Sequence, residues 1–329
     1  MIRDDRLRLA FLGLHPERAA GLVERHRGAA GALRAIERGR VEVSDAVRSR
    51  LVSAEVCRDR LARLGVAAVY REDDAYPGHL ARLPGAPDLL FVRGSLPQAP
   101  GVAIIGTRRC TTYGRRLATA FGQALGACGW PVVSGLARGI DGAAHRGTVD
   151  AAGTAVAVLG SGSDVMYPAE HRSLHDAILA GGGAVITEYP PGTPPEGWRF
   201  PLRNRIISGL SSVVVVVESA VTGGALVTAS AALEQGRTVL AVPGDVTRAS
   251  SVGCNLLIRD GAVPILGADD LVEAVSFVLG PRPQQPVAPT DDAAGADPRD
   301  LEAEIAASGE PAAVVLARMM RREVDGADH

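Results

Sequence analysis

From Gly65 onward, short uninterrupted apolar runs alternate with stretches in which apolar positions recur at helical spacing. The runs are Val66–Val69, Leu89–Val92, Val102–Ile105, Val132–Val133, Ala155–Leu159, Ala184–Thr187, Val213–Val217 and Val239–Val242. Strand-sized runs separated by helix-sized stretches predict βαβ units, hence a mostly parallel, doubly wound α/β sheet over residues 66–280. Val213–Val217 shows no polar alternation, as expected of a strand buried on both faces. Upstream, Leu7, Phe11 and Leu14 repeat at helical spacing, and arginine-rich amphipathic stretches continue to Leu64. Residues 1–65 are therefore expected to form a small helical domain of the SAM or helix-hairpin-helix kind, with a structural or protein-contact role favoured over DNA contact. Residues 281–298, rich in Pro, Asp and Ala, read as a disordered linker. Residues 299–329 read as a short helical tail, at most a degenerate winged helix.

Composition changes the picture in three places. Net charge is −2, so a nucleic-acid reading needs local basic clusters rather than a basic chain. All 35 basic residues are arginine, which excludes lysine Schiff-base chemistry and a Walker-type phosphate loop. Cys57, Cys110, Cys128 and Cys254 form no C-x-x-C pair, so neither zinc site nor disulfide framework is indicated. The charged N-terminus is unlike a signal peptide, and no apolar run could span a membrane. A cytoplasmic protein with no metal and no cofactor is expected.

Candidate chemistry lies in the loops that follow the strands, where doubly wound sheets bind ligands. Gly106-Thr107-Arg108-Arg109 follows Val102–Ile105, with Thr111 or Thr112 placed to cap the next helix and arginines beside free backbone N–H groups. Ser134 and Gly135 open the loop after Val132–Val133. Asp141 and His145, four apart, admit an acid/base pair or, more simply, a hydrogen bond fixing the turn. Residues 160–168, G-S-G-S-D-V-M-Y-P, read as a turn. Gly223 and Gly224 before an apolar helix offer a further anion-ready N-terminus. The segment W-R-F-P-L-R-N-R, residues 198–205, interleaves Trp198 and Phe200 with Arg199, Arg203 and Arg205 in a chain with 4% aromatics. Rings that stack on bases and guanidiniums that take phosphates suit single-stranded nucleic acid, at about 1–3 kcal/mol per stacked base.

Taken in order, D-D-A-Y-P-G-H-L (73–80), L-L-F-V-R-G (89–94), the G-T-R loop, S-G-L-A-R-G-I-D-G-A-A-H (134–145), A-V-L-G-S-G-S-D-V-M-Y-P (157–168), T-E-Y-P-P-G (187–192), F-P-L-R-N-R (200–205), T-G-G-A-L-V-T-A (222–229) and A-V-P-G (241–244) resemble the DNA-processing protein A (DprA/Smf) family. The resemblance implies a Rossmann-like core that binds single-stranded DNA without sequence preference. It also implies a homodimer that loads the RecA recombinase onto DNA during natural transformation, with no established catalytic activity. Carried over by motif, Arg108 is the phosphate-pocket arginine, Phe200 the stacking ring, and Arg203 and Asn204 fall in the same segment. Arg199 stands in for a basic residue that relatives carry upstream, and Thr107 for a serine. The Ser134–Gly135 and Gly223–Gly224 turns would supply backbone N–H groups. Two other readings stay open: a nucleotide phosphoribohydrolase, whose P-G-G-x-G-T-x-x-E pattern is absent here, and a small-nucleotide sensor.

Overall fold

The computed structural model describes residues 2–281. The linker and tail expected over 281–329 lie, but for residue 281, outside them. Five helices come first: α1 (Ile2–Phe11), α2 (Pro16–Arg25), α3 (Ala29–Glu37), α4 (Asp45–Arg48) and α5 (Ala54–Leu64). Ser44 and Ser53 cap α4 and α5, each accepting from the N–H three residues on. There follow β1 (Ala67–Tyr70), α6 (Gly78–Ala81), β2 (Leu89–Gly94), β3 (Gly101–Gly106), α7 (Thr112–Ala127), β4 (Val132–Ser134), α8 (Ile140–Asp150), β5 (Ala155–Leu159), α9 (Arg172–Ala180), β6 (Ala184–Thr187) and α10 (Arg199–Gly209). The last elements are β7 (Ser211–Glu218), α11 (Gly224–Glu234), β8 (Thr238–Ala241), α12 (Val252–Arg259), β9 (Val263–Pro264) and α13 (Ala268–Leu279).

The nine strands form one sheet in the order β1-β2-β6-β5-β4-β3-β7-β8-β9. β1 and β2 are antiparallel additions at one edge, and every pairing from β6 to β9 is parallel. Each apolar run from the sequence falls on a strand; the two-residue β9 carries too little pattern to be read in advance. Parallel strands buried on both faces explain the valine run: Val214 and Val216 enter one core while Val213, Val215 and Val217 enter the other. The first core packs α10, α11 and α12 on one face of the sheet, through Ile206, Ile207, Ala229 and Cys254. The second packs α7, α8 and α13 on the opposite face, through Phe121, Leu125, Ala144 and Leu271.

The N-terminal helices have a core of their own, with Leu9, Leu12, Leu22, Leu33 and Ile36. They are also tied to the sheet edge. Leu7, Phe11, Cys57 and Leu61 pack with Tyr70 and Phe91, so this core straddles residue 65. Arg6 reinforces the junction, donating to Glu72 at 3.0 Å and to the two Asp88 carboxylate oxygens at 2.7 and 2.8 Å. Among the described residues no helix is long and apolar enough to cross a membrane, and no cluster of His, Cys, Asp and Glu could hold a metal ion.

Strand order reverses between β3 and β7: successive crossovers run from β3 out to β6, and then the chain returns to place β7 on the other side of β3. That reversal opens a crevice at the carboxyl ends of β3 and β7, where a doubly wound sheet binds its ligand.

Candidate nucleic-acid interface

Four chain segments meet at this end of the sheet. The first is the loop after β3. Gly106 closes the strand, the Thr107 N–H donates to the Glu218 carbonyl at 2.7 Å, and Thr107 Oγ1 accepts from the Arg109 N–H. Thr111 is the N-cap of α7, its hydroxyl accepting from the Gly114 N–H at 3.1 Å. The Glu218 carboxylate, buried at the end of β7, accepts from the Thr111 N–H and hydroxyl at 2.9 and 3.1 Å. The negative charge that a helix N-terminus attracts is thus already supplied from within the fold. The α7 terminus is already occupied by a carboxylate, while the side chains of Arg108 and Arg109 on the same loop are exposed.

The second segment is the loop after β4. Ser134 is fully buried and donates to the Ile104 carbonyl at 2.6 Å. The Gly135 N–H is taken by Asp141 Oδ2 at 3.1 Å. This turn was expected to present free N–H groups; instead the N–H of Gly135 is consumed internally. The Asp141–His145 hydrogen bond suggested by their spacing is also absent. Asp141 is spent on the turn, while neither ring nitrogen of His145 has a partner among the described residues. Burial raises the Asp141 carboxyl, opposed by Arg203, and pushes the His145 imidazole down to about 3. The imidazole is therefore neutral at ordinary pH.

The third segment, 198–205, is the first half of α10, and its helical path sends the interleaved residues to different places. Arg203 points inward, buried, and Nη1 donates to the Gly135 carbonyl at 2.9 Å and to the Val158 carbonyl. Burial lowers its guanidinium to about 10, with Asp141 opposing the shift. It acts as a strut beneath the Gly135 turn, its guanidinium filling the space that a Cβ on residue 135 would take. Arg199 is buried too, but on the other side: it donates to the Pro194 carbonyl and lies against Tyr189 and Trp198 at 5.2 and 4.7 Å. Arg205 pairs with Glu188. Phe200 alone faces the rim. Its ring lies on the backbone of Gly160, where an added Cβ would come within 2.9 Å of Cδ1. Arg108 sits over that ring at 4.9 Å, and Tyr167 lies 5.5 Å from it.

The fourth segment follows β7. Gly223 donates its N–H to the Ala220 carbonyl, and it caps α11 with no side-chain hydrogen bond. The Leu226 N–H is taken by the Gly223 carbonyl at 3.0 Å, and of the remaining first-turn N–H groups that of Gly224 lies on an exposed residue. Asn204 joins this turn to α10 by a long contact from Nδ2 to the Gly224 carbonyl, 3.4 Å.

Of the residues singled out in the sequence, Gly106, Thr107, Arg108, Phe200, Asn204, Gly223 and Gly224 come together at the crevice. Ser134, Gly135 and Arg203 lie beneath it, and Arg199 belongs to a separate cluster. Sequence reasoning missed Glu218 and passed over Tyr167 as part of a turn; the position of both at carboxyl ends of strands is the signal that could have found them.

A parallel, doubly wound sheet with its open site at the switch point defines a Rossmann-like protein. A family model for DNA recombination-mediator protein A matches residues 67–276, and this chain belongs to that family. Protein Smf of Escherichia coli K12 is 41% identical over 217 residues, which cover 65% of this chain and 58% of that protein. The chain thus matches under two thirds of that relative's length. The X-ray structure of DprA from Streptococcus pneumoniae superposes with a TM-score of 0.64 and 31% identity, over 81% of this chain and 95% of that one. A structure of DNA processing protein A from Helicobacter pylori, described for its single-stranded DNA binding mode, has a TM-score of 0.56 over 64% of this chain and 96% of that one; at 23% identity it supports the fold alone.

Proposed function

We propose that this protein binds single-stranded DNA at the β3–β7 crevice, with little sequence preference, and acts in DNA recombination as a binding protein rather than an enzyme. One observation carries the reading: an exposed arginine, Arg108, is held over a half-buried ring, Phe200, at the mouth of the switch point. A ring offers a base a stacking surface whatever the base is, and a guanidinium offers its phosphate a charge-assisted contact. The exposed Gly224 N–H at the start of α11 adds a backbone donor on the same rim. Asp141 and His145, the sole candidate acid/base pair from the sequence, are buried and not hydrogen-bonded to each other, which favours binding over catalysis.

Family membership supports the wider role. On this reading the protein works in the cytoplasm as a homodimer, coats incoming single strands and loads the RecA recombinase onto them during natural transformation. The test is a side-by-side measurement on the full chain: affinity for an oligonucleotide as single strand and as blunt duplex, and hydrolysis of AMP. Strong preference for the single strand with no AMP turnover supports the proposal. Equal duplex binding, or AMP turnover without strand binding, defeats it.

A further inference from the structure

The interleaving of rings and arginines read from residues 198–205 does not survive folding, because Arg199, Arg203 and Arg205 are committed elsewhere. The structure rebuilds it from other segments. Tyr167, in the loop after β5, is 40% exposed, and its ring lies 5.5 Å from Phe200 at an interplanar angle of 36°. Arg138, in the loop after β4, is exposed and is bonded to Glu170, three residues beyond Tyr167. Across the rim the groups therefore run Arg108, Phe200, Tyr167, Arg138. A single exposed ring needs no explanation. Two adjoining rings flanked by a guanidinium at each end make a surface matched to a strand of alternating bases and phosphates.

We infer that the bound single strand runs from Arg108 over Phe200 and Tyr167 to Arg138, toward the β4–β5 side of the rim, and that Tyr167 and Arg138 are binding residues. This rests on the proposed function. The spacing adds a reason for strand selectivity. Bases of a duplex strand stack parallel at a rise of about 3.4 Å, whereas these rings are 5.5 Å apart and tilted by 36°, a surface better suited to bases outside a duplex stack. Arg138 is held in the meantime by a two-pronged ion pair with Glu170, Nη2 to Oε2 at 2.8 Å. Arg138 draws the Glu170 carboxyl down to about 2, so that charge persists at any practical pH. Both groups are exposed, and exposed pairs contribute little. A phosphate can therefore replace Glu170 on Arg138 at small cost, while the carboxylate repels the strand.

The test is fluorescence anisotropy of a labelled oligothymidylate with the full-length protein across a salt series. Tyr167→Ala should weaken binding about 5- to 150-fold, the equivalent of one stacked base, with the salt slope unchanged, and Tyr167→Phe should bind like wild type. Arg138→Ala should weaken binding and flatten the slope by about 0.7, one phosphate contact on a single strand. Glu170→Gln should bind more tightly than wild type at low salt. Ultraviolet cross-linking of the wild-type complex covers the case in which Tyr167→Ala misfolds: adducts should map to residues 160–168. If wild type binds but Tyr167→Ala and Arg138→Ala bind equally well, or adducts map to 219–227 instead, the path is wrong while the proposed function stands. If wild type itself does not bind the oligothymidylate, both fall.

Discussion

Replacing Arg203 by methionine tests whether the second arginine of F-P-L-R-N-R is a strut or a phosphate ligand. Methionine keeps much of the apolar stem and removes the charge and all donors. Two buried carbonyls, those of Gly135 and Val158, lose their shared Nη1 donor, and the buried Asp141 loses the cation that offsets its burial. A charge-assisted hydrogen bond contributes about 1.5–3 kcal/mol, and leaving a buried charge uncompensated costs about 3–5 kcal/mol. These effects overlap, so the expected loss is about 3–5 kcal/mol in total. At roughly 2–4 °C per kcal/mol for a domain of this size, the midpoint should fall by roughly 6–20 °C. The assay pairs a thermal melt with oligonucleotide titrations at several salt concentrations, run where the variant is still folded. Affinity should fall because the Gly135 turn sags, yet the salt slope should match wild type. A wild-type melting temperature combined with a slope flatter by about one phosphate contact would refute the argument and return Arg203 to the strand.

Two other outcomes follow from the same geometry. Arg108 is exposed and its guanidinium lies over the Phe200 ring, so Arg108→Ala should weaken single-strand binding by about 1.5–3 kcal/mol and flatten the salt slope, with a wild-type melt; a large stability loss with unchanged affinity would make it structural. The His145 imidazole, ordinarily titrating near 6.5, is held down to about 3 by burial. The unfolded chain then binds the extra proton between those values, so stability is complete above pH 6.5 and declines as pH falls. At about 1.4 kcal/mol per pH step of one, this amounts to about 3 kcal/mol by pH 4. Asp141, whose carboxyl is raised, opposes part of the decline. His145→Gln should flatten the pH-stability curve between pH 6.5 and 4, and parallel curves for the two proteins would contradict the assignment.

The sheet was legible because parallel strands need apolar runs: Val102–Ile105, Ala155–Leu159 and Val213–Val217 could hardly be anything else once helical stretches separated them. The anion-ready loops were legible for the same reason, since ligand sites of such sheets lie just past those runs. Side-chain direction was not. Residues 199, 203 and 205 read as one basic face when the segment is taken as a ribbon, but winding it into α10 points Arg203 under the sheet end and Arg199 toward Tyr189. Gly135 shows a second limit. A strand-to-helix turn suggests free N–H groups, but Asp141, six residues on, takes the one that matters. Glu218 carries no motif of its own, and Tyr167 lies inside one that reads as a turn. Their roles arise from strand order, which places β7 beside β3 and brings the loop after β5 against α10, and strand order is a property of the whole sheet.

The most direct test of the central claim is to measure, on Phe200→Ala, the affinity for a single strand across a salt series together with the thermal melt. Phe200 is half-buried at the rim, with one side of its ring on Gly160 and Arg108 over it. If it is the stacking ring, binding should weaken by about 1–3 kcal/mol at every salt concentration, with the slope and melting temperature near wild type. If it is a core residue, the variant should lose about 3–5 kcal/mol of stability and keep its affinity while folded. A folded variant with wild-type melting and wild-type affinity would contradict the account outright, because no base would then rest on the ring at the β3–β7 crevice.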